Sequence, residues 1–299
     1  MLLYKSGLKN LISAQKVKTV SPFEFAKNTT YGLGGNAPVA YYPKTPWQAK
    51  MVFDELSARG ERFTVIGNGS NLLVSDSGFS GAVISTRKLS GIVRLSNNRL
   101  LCLAGTKISD LLLYCRVRGL GGLEYLYGIP ATVGGAAFMN AGVNGATIGN
   151  NIISVNVYNG KSLILSNENC NFGYRHSTMR DINALILSVI VKVDNVSAEE
   201  IDRRIDYYKT RRKHLPRGKS CGCVFKNPEG HSGGQLIDAA GFKGLRYGGA
   251  VVSNSHANFI INDGGSAQDV KELIYTVKRG VFDKFGILLE EEVVYIGDF

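Results

Sequence analysis

The sequence is poor in proline and cysteine, and it contains no long apolar run. Its 299 residues include 7 prolines and 5 cysteines. Cys221 and Cys223 are the one close pair, and a C-x-C pair without clustered histidines is a poor zinc site. We therefore expect no bound metal and a reducing compartment, with the cytoplasm as the default location. No apolar run approaches the roughly 18 residues that a transmembrane helix needs, so we expect no membrane association.

Glycine and positive charge, by contrast, are abundant. The chain has 36 glycines, and glycine without proline favours tight turns and loops that approach a ligand closely. Lys and Arg number 35 against 24 Asp and Glu, which gives a formal net charge of +11. Such an excess favours an anionic partner, but charge alone does not distinguish nucleic acid, anionic lipid and phosphorylated small molecules. The apolar content of 44% excludes disordered, collagen-like and rod-like chains.

Short strands and few long helices predict an α+β fold. Residues 1–20 are amphipathic and predict a short helix rather than a secretory signal, because no apolar core precedes a small-residue cleavage site. Asn159-Gly160 between alternating apolar runs predicts a β-hairpin. The run 286–299 predicts a terminal strand with three glutamates. A capping box of Thr45 and Gln48 and a stop at Gly60 predict a helix at 45–60, and a capping box that opens at Ser197 predicts a helix at 197–213. Further helices are predicted near 109–118 and, from an amphipathic pattern that stops before Gly286, at 266–285.

Three glycine-rich segments stand out, at 31–37, 67–71 and 128–142. Glycines at a strand end let backbone N–H groups form an anion-binding nest, and a dinucleotide pyrophosphate is its natural occupant. Segment 67–71 leads into a strand rather than a helix, which excludes the Rossmann fingerprint, and no GK[ST] follows it, which excludes a P-loop. A single glycine loop is usually only a turn. Three such loops in one chain favour a ligand cradle.

An ordered set of motifs then carries a family resemblance over about residues 20–297. The motifs are NTTYGLGGNA, GNGSNLLVSDSGFSGAVI, GLEYLYGIPATVGGAAFMNAG, YRHS, GCVFKNP, HANFIIN and LEEEV. Together they resemble the UDP-N-acetylenolpyruvoylglucosamine reductases, flavoenzymes of peptidoglycan precursor synthesis. The last third of the chain contains no insertion, and in this respect the chain resembles the shorter, type II form of these enzymes.

The resemblance implies a fold and a domain order. We expect an N-terminal helix at 1–20 and an FAD-binding domain of the vanillyl-alcohol-oxidase (PCMH) type at 21–195, with subdomains of about 21–88 and 89–195. A C-terminal α+β substrate-binding domain is expected at 196–299. The boundary near 195 follows from a change of pattern alone, since no flexible linker is visible.

The resemblance also implies the reaction and its partners. NADPH would supply a hydride, FAD would carry it, and the enolpyruvyl group of a UDP-N-acetylglucosamine enolpyruvate would be reduced to UDP-N-acetylmuramate. A cytoplasmic monomer serving cell-wall biogenesis, cell shape and division is expected, with a UDP-sugar as its small-molecule substrate and no nucleic-acid partner.

Site residues follow by matching the family motifs. The cofactor-binding residues implied are Tyr31, Gly67, Asn68, Gly69, Ser70, Asn71, Gly128, Thr132, Gly134, Gly135 and Asn140. The substrate-binding residues implied are Tyr174, Asn227, Gln235 and His256, with Asn258 as a weaker candidate. A lone histidine such as His256 is more often structural than catalytic.

Three further residues match the catalytic positions. Arg175 matches the family's arginine, and a guanidinium suits a carboxylate; outside the motif a structural salt bridge would be the favoured interpretation. Cys223 matches the proton donor, which in the family is commonly serine. A thiol, with a pKa of about 8.5 in model peptides, is protonated at neutral pH and is a stronger acid than a hydroxyl. Without the motif a lone cysteine would be a small buried hydrophobe.

Glu292 matches the family's catalytic glutamate because it directly precedes Val293. A buried carboxyl can be kept protonated by desolvation and can then donate a proton to an enolate. The alternative is an exposed edge strand whose charges, at Glu290–Glu292, oppose aggregation.

Other interpretations stay open for the basic residues and for the scaffold. Eight Lys and Arg lie between Arg203 and Lys219, and they suit phosphate steering, a solvated helix surface or nucleic-acid binding. A different flavoprotein oxidase would share the glycine loops but lack the Arg175, Cys223 and Glu292 set. A nucleic-acid-binding protein would show affinity that falls steeply with salt.

Overall fold

The computed structural model describes residues 17–96, 98–143, 145–182 and 184–299. The predicted helix at 1–20 lies outside these residues except for its last part. That part corrects the prediction, because Lys18–Val20 form a strand that pairs antiparallel with Val39–Tyr42. None of the helices in the described ranges combines the length and the apolar content of a membrane span.

Helices are short except for the last one, and strands are numerous, as expected for an α+β fold. The α-helices are α1 (Pro46–Ala58), α2 (Ile108–Val117), α3 (Val133–Phe138), α4 (Thr178–Asp181), α5 (Ala198–Arg211), α6 (Gly233–Ala239) and α7 (Ala267–Phe285). The strands are β1 (Lys18–Val20), β2 (Phe23–Glu24), β3 (Asn36–Ala37), β4 (Val39–Tyr42), β5 (Phe63–Ile66), β6 (Leu72–Val74), β7 (Ala82–Ser85), β8 (Ile92–Ser96), β9 (Arg99–Leu103), β10 (Leu120–Gly121), β11 (Gly142–Val143), β12 (Ala146–Thr147), β13 (Ile152–Tyr158), β14 (Ser162–Ser166), β15 (Leu185–Lys192), β16 (Asp194–Asn195), β17 (Arg246–Tyr247), β18 (Ala250–Val252), β19 (Ile260–Asn262) and β20 (Val294–Ile296).

Of the described residues, the first of two compact units contains 17–21, Val39–Asn68 and Gly81–Arg212. It holds a four-stranded sheet in the order β1-β4-β7-β5 and a five-stranded sheet in the order β14-β13-β15-β9-β8. Strand β15 is almost wholly buried, as its continuous apolar run predicts. The predicted hairpin at Asn159-Gly160 is confirmed by the antiparallel pairing of β13 and β14.

Helix α1 illustrates how local sequence sets these elements. The Thr45 hydroxyl accepts a hydrogen bond from the Gln48 N–H over 3.2 Å, which satisfies a donor of the first turn. The Gln48 side chain does not complete the predicted capping box, because it accepts from the N–H of Lys44 instead. Gly60, at φ +62°, ends the helix as predicted.

The second unit contains Pro22–Pro38, Gly69–Ser80 and Lys213–Phe299. Helix α7 packs its apolar side into a core with β18, and a capping box of Ser266 and Asp269 starts it. Gly286 at φ +67° ends it, so the predicted helix at 266–285 is confirmed. Strand β20 pairs in parallel with β6, which joins the chain terminus to the segment after the second glycine loop.

This division differs from the predicted domain boundaries. Helix α5 belongs to the first unit because it packs on α2, where Arg116 and Asp202 form a two-bond ion pair. Pro22–Pro38 and Gly69–Ser80 belong to the second unit, partly through the β6–β20 pairing. The terminal strand is also shorter than predicted, since only Val294–Ile296 form a continuous strand and Glu291 contributes an isolated bridge to Phe225.

Candidate functional site

In the first unit, the guanidinium group of Arg87 holds the start of the second glycine-rich segment, at Gly67 and Asn68. Arg87 donates to the carbonyl oxygen of Gly67 over 3.1 Å and to that of Asn68 over 3.0 Å. In a planar trans peptide the N–H points away from the C=O. The N–H groups of Asn68 and Gly69 therefore point away from Arg87, in the orientation that an anion-binding nest requires. The Asn68 side chain is held as well, because its Nδ2 donates to the Pro130 carbonyl over 2.7 Å.

The third glycine segment lies directly against this loop. A Cβ at Gly67 would lie 2.5 Å from Thr132 Oγ1, so only glycine allows this approach. Thr132 Oγ1 also accepts from the Gly135 N–H and caps α3. Gly134 packs its backbone on Ala104, which a Cβ would contact at 2.8 Å. Gly67, Asn68 and the segment 128–135 therefore lie together within this unit.

The backbone of Gly128 also lies in close contact with another part of the first unit, the side chain of Arg212. Arg212 donates to the Gly128 carbonyl oxygen over 3.1 Å, and Gly128 has φ +75°. A Cβ there would meet the Arg212 guanidinium at 2.8 Å. Part of the predicted basic segment is therefore engaged with the protein itself. Arg203 and Arg204 are also engaged, by ion pairs with Glu200 rather than with the neighbouring aspartates.

Asn140 uses its side chain to build the loop that carries Arg175. Its Nδ2 donates to the Gly173 carbonyl over 2.8 Å, and its Oδ1 accepts from the Gly149 N–H over 3.0 Å. Asn140 itself has φ +43° and is buried. Both polar ends of this amide are therefore used within the protein, although it is a predicted cofactor contact.

Arg175 has φ +55°, in the left-handed region that costs a non-glycine residue energy. Its guanidinium carbon lies 5.3 Å from the centre of the Tyr174 ring, and its terminal nitrogens lie 3.4 Å from the Gly142 carbonyl oxygen. Arg180 donates to the Arg175 carbonyl over 2.6 Å, which fixes the backbone. Backbone strain of this kind is typical of functional positions.

The second unit contains Gly69 and the first glycine-rich segment, at 31–37. The Gly69 carbonyl accepts from the Thr30 N–H over 3.1 Å. Gly69 has φ +66°, and a Cβ would lie 2.5 Å from the Asn28 carbonyl oxygen. By the same trans-peptide geometry the N–H of half-buried Ser70 points away from Thr30. Tyr31, beside this contact, is buried, and burial raises the pKa of its hydroxyl, with the Cys221 thiol as a further cause.

Cys223 and Glu292 lie on adjoining extended segments of the second unit. Cys223 forms a bridge with Phe259, and the next residue, Val224, accepts from the Glu292 N–H over 2.7 Å. Glu292 and Cys223 both contribute to the electrostatic environment of Cys221, whose pKa burial raises to about 12. The structure therefore brings two of the three predicted catalytic residues together, while Arg175 lies in the other unit.

The three neighbouring glutamates have separate partners. Glu290 pairs with Lys226, and Glu291 pairs with Lys278 and accepts from the Tyr295 hydroxyl. The carbonyl oxygen of Glu292 accepts from Asn71 Nδ2 over 2.9 Å. Asn71 was predicted as a cofactor contact, and the structure places its amide against the backbone of the predicted catalytic glutamate.

Asn258 is a residue whose role sequence reasoning underrated. It is buried, its Oδ1 accepts from the Phe225 N–H over 2.9 Å, and its Nδ2 donates to the Phe225 carbonyl over 2.8 Å. Its own carbonyl accepts from the Val224 N–H. Asn258 thus holds the backbone of the segment that carries Cys223. The signal available in the sequence was a polar residue set between the apolar residues Ala257 and Phe259.

The predicted substrate residues differ in their surroundings. Asn227 is exposed and its Oδ1 accepts from the Gly233 N–H at the start of α6, while Gln235 is exposed on the same helix. His256 is half-buried, packs edge-on against Phe259, and accepts from the Asn258 N–H through Nδ1. Burial lowers the pKa of His256, and His214 and Lys243 lower it further. Tyr174 is 52% exposed in the first unit.

All five cysteines are thiols outside any disulfide bond. Within the described ranges, no group of three or more His, Cys, Asp and Glu side chains is arranged to hold a metal ion.

The fold and the glycine-rich segments place the chain in a class of proteins, those with an FAD-binding domain. Residues 37–166 match the family model described as FAD binding domain. Residues 213–296 match that of the UDP-N-acetylenolpyruvoylglucosamine reductase C-terminal domain. The predicted α+β class with a cofactor domain followed by a distinct C-terminal domain is confirmed.

Similar proteins extend over nearly the whole chain. UDP-N-acetylenolpyruvoylglucosamine reductase of Moorella thermoacetica is 37% identical over 95% of each chain, and that of Limosilactobacillus reuteri is 39% identical over 90% of this chain and 92% of its own. The crystal structure of the Thermus caldophilus reductase has a TM-score of 0.79 and 36% identity, covering 94% of this chain and 99% of that one. The chain belongs to the UDP-N-acetylenolpyruvoylglucosamine reductase family, as the sequence motifs predicted.

The residues present fit an FAD. Its pyrophosphate is an anion, and the N–H groups turned away from Arg87 in the first unit are donors of the kind that such an anion needs. Positions 67, 69 and 134 have no space for a Cβ, so the backbone itself forms the surface there.

Proposed function

We propose that this protein reduces the enolpyruvyl group of UDP-N-acetylglucosamine enolpyruvate to give UDP-N-acetylmuramate, with NADPH as the electron source and FAD as the bound cofactor. The observation that carries the proposal is the pairing of the Cys223–Phe225 segment with Glu291 and Glu292, in a chain that matches such reductases over 95% of its length. The product is a precursor for peptidoglycan, which connects the activity to cell-wall synthesis, cell shape and division. We place the protein in the cytoplasm as a monomer.

Holding the cofactor is the proposed task of the glycine segments. When bound, FAD accepts a hydride from NADPH and delivers it to the substrate, chemistry that no amino-acid side chain supplies. The backbone at Gly67, Asn68, Gly69 and Ser70 would hold the pyrophosphate. The remaining contacts proposed are Tyr31, Asn71, Gly128, Thr132, Gly134, Gly135 and Asn140. The two polar ends of the Asn140 amide are already used, so its contribution is to shape the pocket.

Arg175 is proposed to bind the carboxylate of the enolpyruvyl group. Hydride addition at C3 leaves negative charge at C2, delocalised into that carboxylate as an enolate. A fixed guanidinium stabilises this charge more strongly as it develops, which is how preorganised electrostatics lowers a barrier. The strained backbone of Arg175, held by Arg180, supports such a preorganised role.

Cys223 is proposed to protonate C2, with Glu292 as its partner. The Cys223 S–H gives its proton to the carbon, and the resulting thiolate must then regain one. Glu292 lies on the adjoining segment and interacts with the same buried thiol, Cys221, so its carboxyl is suited to return the proton or to hydrogen-bond the enolate. Tyr174, Asn227, Gln235 and His256 are proposed to contact the UDP-sugar.

The basic residues are proposed to attract phosphates rather than nucleic acid. Arg203, Arg204 and Arg212 already have protein partners, which leaves exposed residues such as Arg217 and Lys219 for steering. Lys219 packs its side chain on Gly32, close in sequence to Tyr31. The first unit is accordingly proposed to bind mainly cofactor and the second mainly substrate.

Product analysis tests the proposed function. Purified holoprotein is incubated with NADPH and UDP-N-acetylglucosamine enolpyruvate, and the product is identified by mass spectrometry. The expected product carries two more hydrogen atoms than the substrate and forms in proportion to the NADPH consumed. NADPH consumption that is independent of the enolpyruvyl substrate would favour a different flavoprotein, and duplex binding that falls steeply with salt would favour a nucleic-acid-binding protein.

A further inference from the structure

The C-x-C pair is not fully used by the proposed mechanism, which needs only Cys223. Cys221 is 7% exposed and packs in the core of the second unit beside Tyr31. Cys223 is half-buried and therefore more accessible. The two residues are separated by Gly222, whose φ is +85°. One accessible and one buried thiol therefore flank a bend in the chain.

The backbone at this bend permits a disulfide. Cα atoms two residues apart in a straight strand are separated by about 6.6 Å. That is near the upper end, about 6.8 Å, of the separations that disulfides span. Gly222, at φ +85°, departs from the straight-strand conformation, and the position of a Cβ at Gly222 is open space. No neighbouring atom there opposes a small rearrangement of the bend.

We propose that Cys221 and Cys223 form a redox-active dithiol, a site that reacts with hydroperoxides and closes reversibly to a Cys221–Cys223 disulfide. The accessible Cys223 is the attacking thiol and the buried Cys221 is the resolving thiol. A disulfide across a single residue closes a small, strained ring, and strained disulfides are the readily reduced, regulatory kind.

The chemistry balances with a hydroperoxide as the oxidant. The Cys223 sulfur attacks one peroxide oxygen, an S–O bond forms as the O–O bond breaks, and the alcohol or water derived from the peroxide leaves with the thiol proton. The sulfur is oxidised to a sulfenic acid and the peroxide is reduced. The Cys221 sulfur then attacks this sulfur, an S–S bond forms as the S–O bond breaks, and the Cys221 proton leaves with the hydroxide as water. A dithiol reductant restores both thiols by exchange.

The raised pKa of Cys221 sets both the order and the speed of these steps. Burial raises the pKa of Cys221 to about 12, so it is a thiol at neutral pH and does not react first with peroxide. The same property slows the second step, because the thiol must lose its proton as it attacks. The sulfenic acid of Cys223 is therefore expected to accumulate long enough to be trapped.

The other three cysteines provide an internal control. Cys102, Cys115 and Cys170 are buried in the first unit, and burial raises their pKa values to about 12, 12 and 11. They are expected to stay reduced under the same treatment. Selective oxidation of two thiols out of five is thus the signature of the proposed site.

The consequence for turnover, unlike the thiol chemistry, rests on the proposed function. A disulfide removes the S–H that Cys223 would give to C2 of the substrate. Oxidation should then stop substrate turnover while reduction of the cofactor by NADPH continues. This couples peroxide exposure to reversible arrest of the reaction.

The test uses the purified full-length holoprotein and hydrogen peroxide at a small molar excess. Intact-mass measurement and maleimide labelling should show the loss of two hydrogen atoms and of two labelled thiols, with the disulfide mapped to the peptide containing Cys221 and Cys223. Dithiothreitol should restore both thiols and turnover. In Cys221→Ala the sulfenic acid of Cys223 should be trapped by dimedone at several times the wild-type yield, and Cys170→Ala should behave as wild type.

The outcomes separate this proposal from the proposed function. Wild-type protein that keeps both thiols, or that shows the same products as Cys221→Ala, overturns the dithiol site without reference to activity. A mapped, reversible disulfide in a protein that does not reduce the enolpyruvyl substrate upholds the dithiol site and refutes the proposed function.

Discussion

The side-chain amide of Asn71 donates a hydrogen bond to the backbone carbonyl of Glu292 over 2.9 Å, and the Asn71 carbonyl accepts from the N–H of Val294 over 3.0 Å. The two residues are 221 positions apart in the sequence. Asn71 therefore fixes the backbone on both sides of Val293, the residue that follows Glu292. The last residue of a glycine loop predicted to hold a cofactor thus positions the glutamate predicted to act on the substrate.

Replacing Asn71 with Ala should slow substrate reduction about fivefold, because one neutral hydrogen bond contributes about 1 kcal/mol. Flavin content and reduction by NADPH should change little, and Asn71→Asp should be as slow as Ala because it lacks the donor. Stopped-flow absorbance separates the two half-reactions. Asn68→Ala is the control, because its side chain bonds Pro130 in the first unit. If Asn71→Ala instead loses the flavin and the remaining holoenzyme reacts normally, the amide serves the cofactor and not Glu292.

Cys223 variants test the proton donor. Cys223→Ala should keep the reduction of the cofactor by NADPH and lose turnover of the enolpyruvyl substrate by about 100-fold or more, as expected for removal of a general acid. Cys223→Ser should retain activity, since serine is common at this position in the family. Survival of both half-reactions in the alanine variant refutes the donor role. An inactive but folded serine variant means that the local geometry suits only sulfur.

Two substitutions of Arg175 should have the same effect on activity and different effects on stability. Both Arg175→Gly and Arg175→Ala should be inactive, since both lack the guanidinium. The glycine variant should be more stable than the alanine variant by about 1 kcal/mol, because its backbone accepts φ +55° without strain. Urea denaturation of the two variants measures the difference. Equal stabilities would show that the backbone relaxes when the side chain is removed.

Gly69 should resist substitution more strongly than a glycine with positive φ and open space around it, such as Gly160. In Gly69→Ala the new Cβ would lie 2.5 Å from the Asn28 carbonyl oxygen, in addition to the strain of φ +66°. Gly160 has φ +92° but open space around it, so Gly160→Ala is the matched control for strain alone. We expect Gly69→Ala to purify with a several-fold lower flavin content and Gly160→Ala to match the wild type in flavin absorbance per protein. Equal flavin content in the two variants would contradict the cradle.

Local features of this fold could be predicted from the sequence, and long-range ones could not. The pattern reveals the caps at Thr45 and Ser197, the glycine stops at Gly60 and Gly286, and the Asn159-Gly160 turn, because each of these acts within a few residues. The pairing of β6 with β20 joins residues more than 200 positions apart and left no local signal. That pairing is why the unit boundaries differ from those expected.

For the candidate site, too, the sequence predicts residues that local motifs indicate and does not predict long-range contacts. Motifs indicated Cys223 and Glu292, and the structure places them on adjoining segments. The supporting contacts of Arg87, Asn258 and Arg212 depend on backbone carbonyls and N–H groups that no residue pattern reveals. The unexpected use of Asn140 and Asn71 has the same origin, because an amide in a glycine loop can face a ligand or the protein equally well.

The most direct test of the account is an anaerobic absorbance titration of the purified protein. We predict a flavin spectrum as isolated, bleaching on addition of NADPH, and recovery of the oxidised spectrum when UDP-N-acetylglucosamine enolpyruvate is added. A protein without flavin absorbance that also fails to take up added FAD would contradict the account, as would a bleached spectrum that only oxygen, and not the enolpyruvyl substrate, restores.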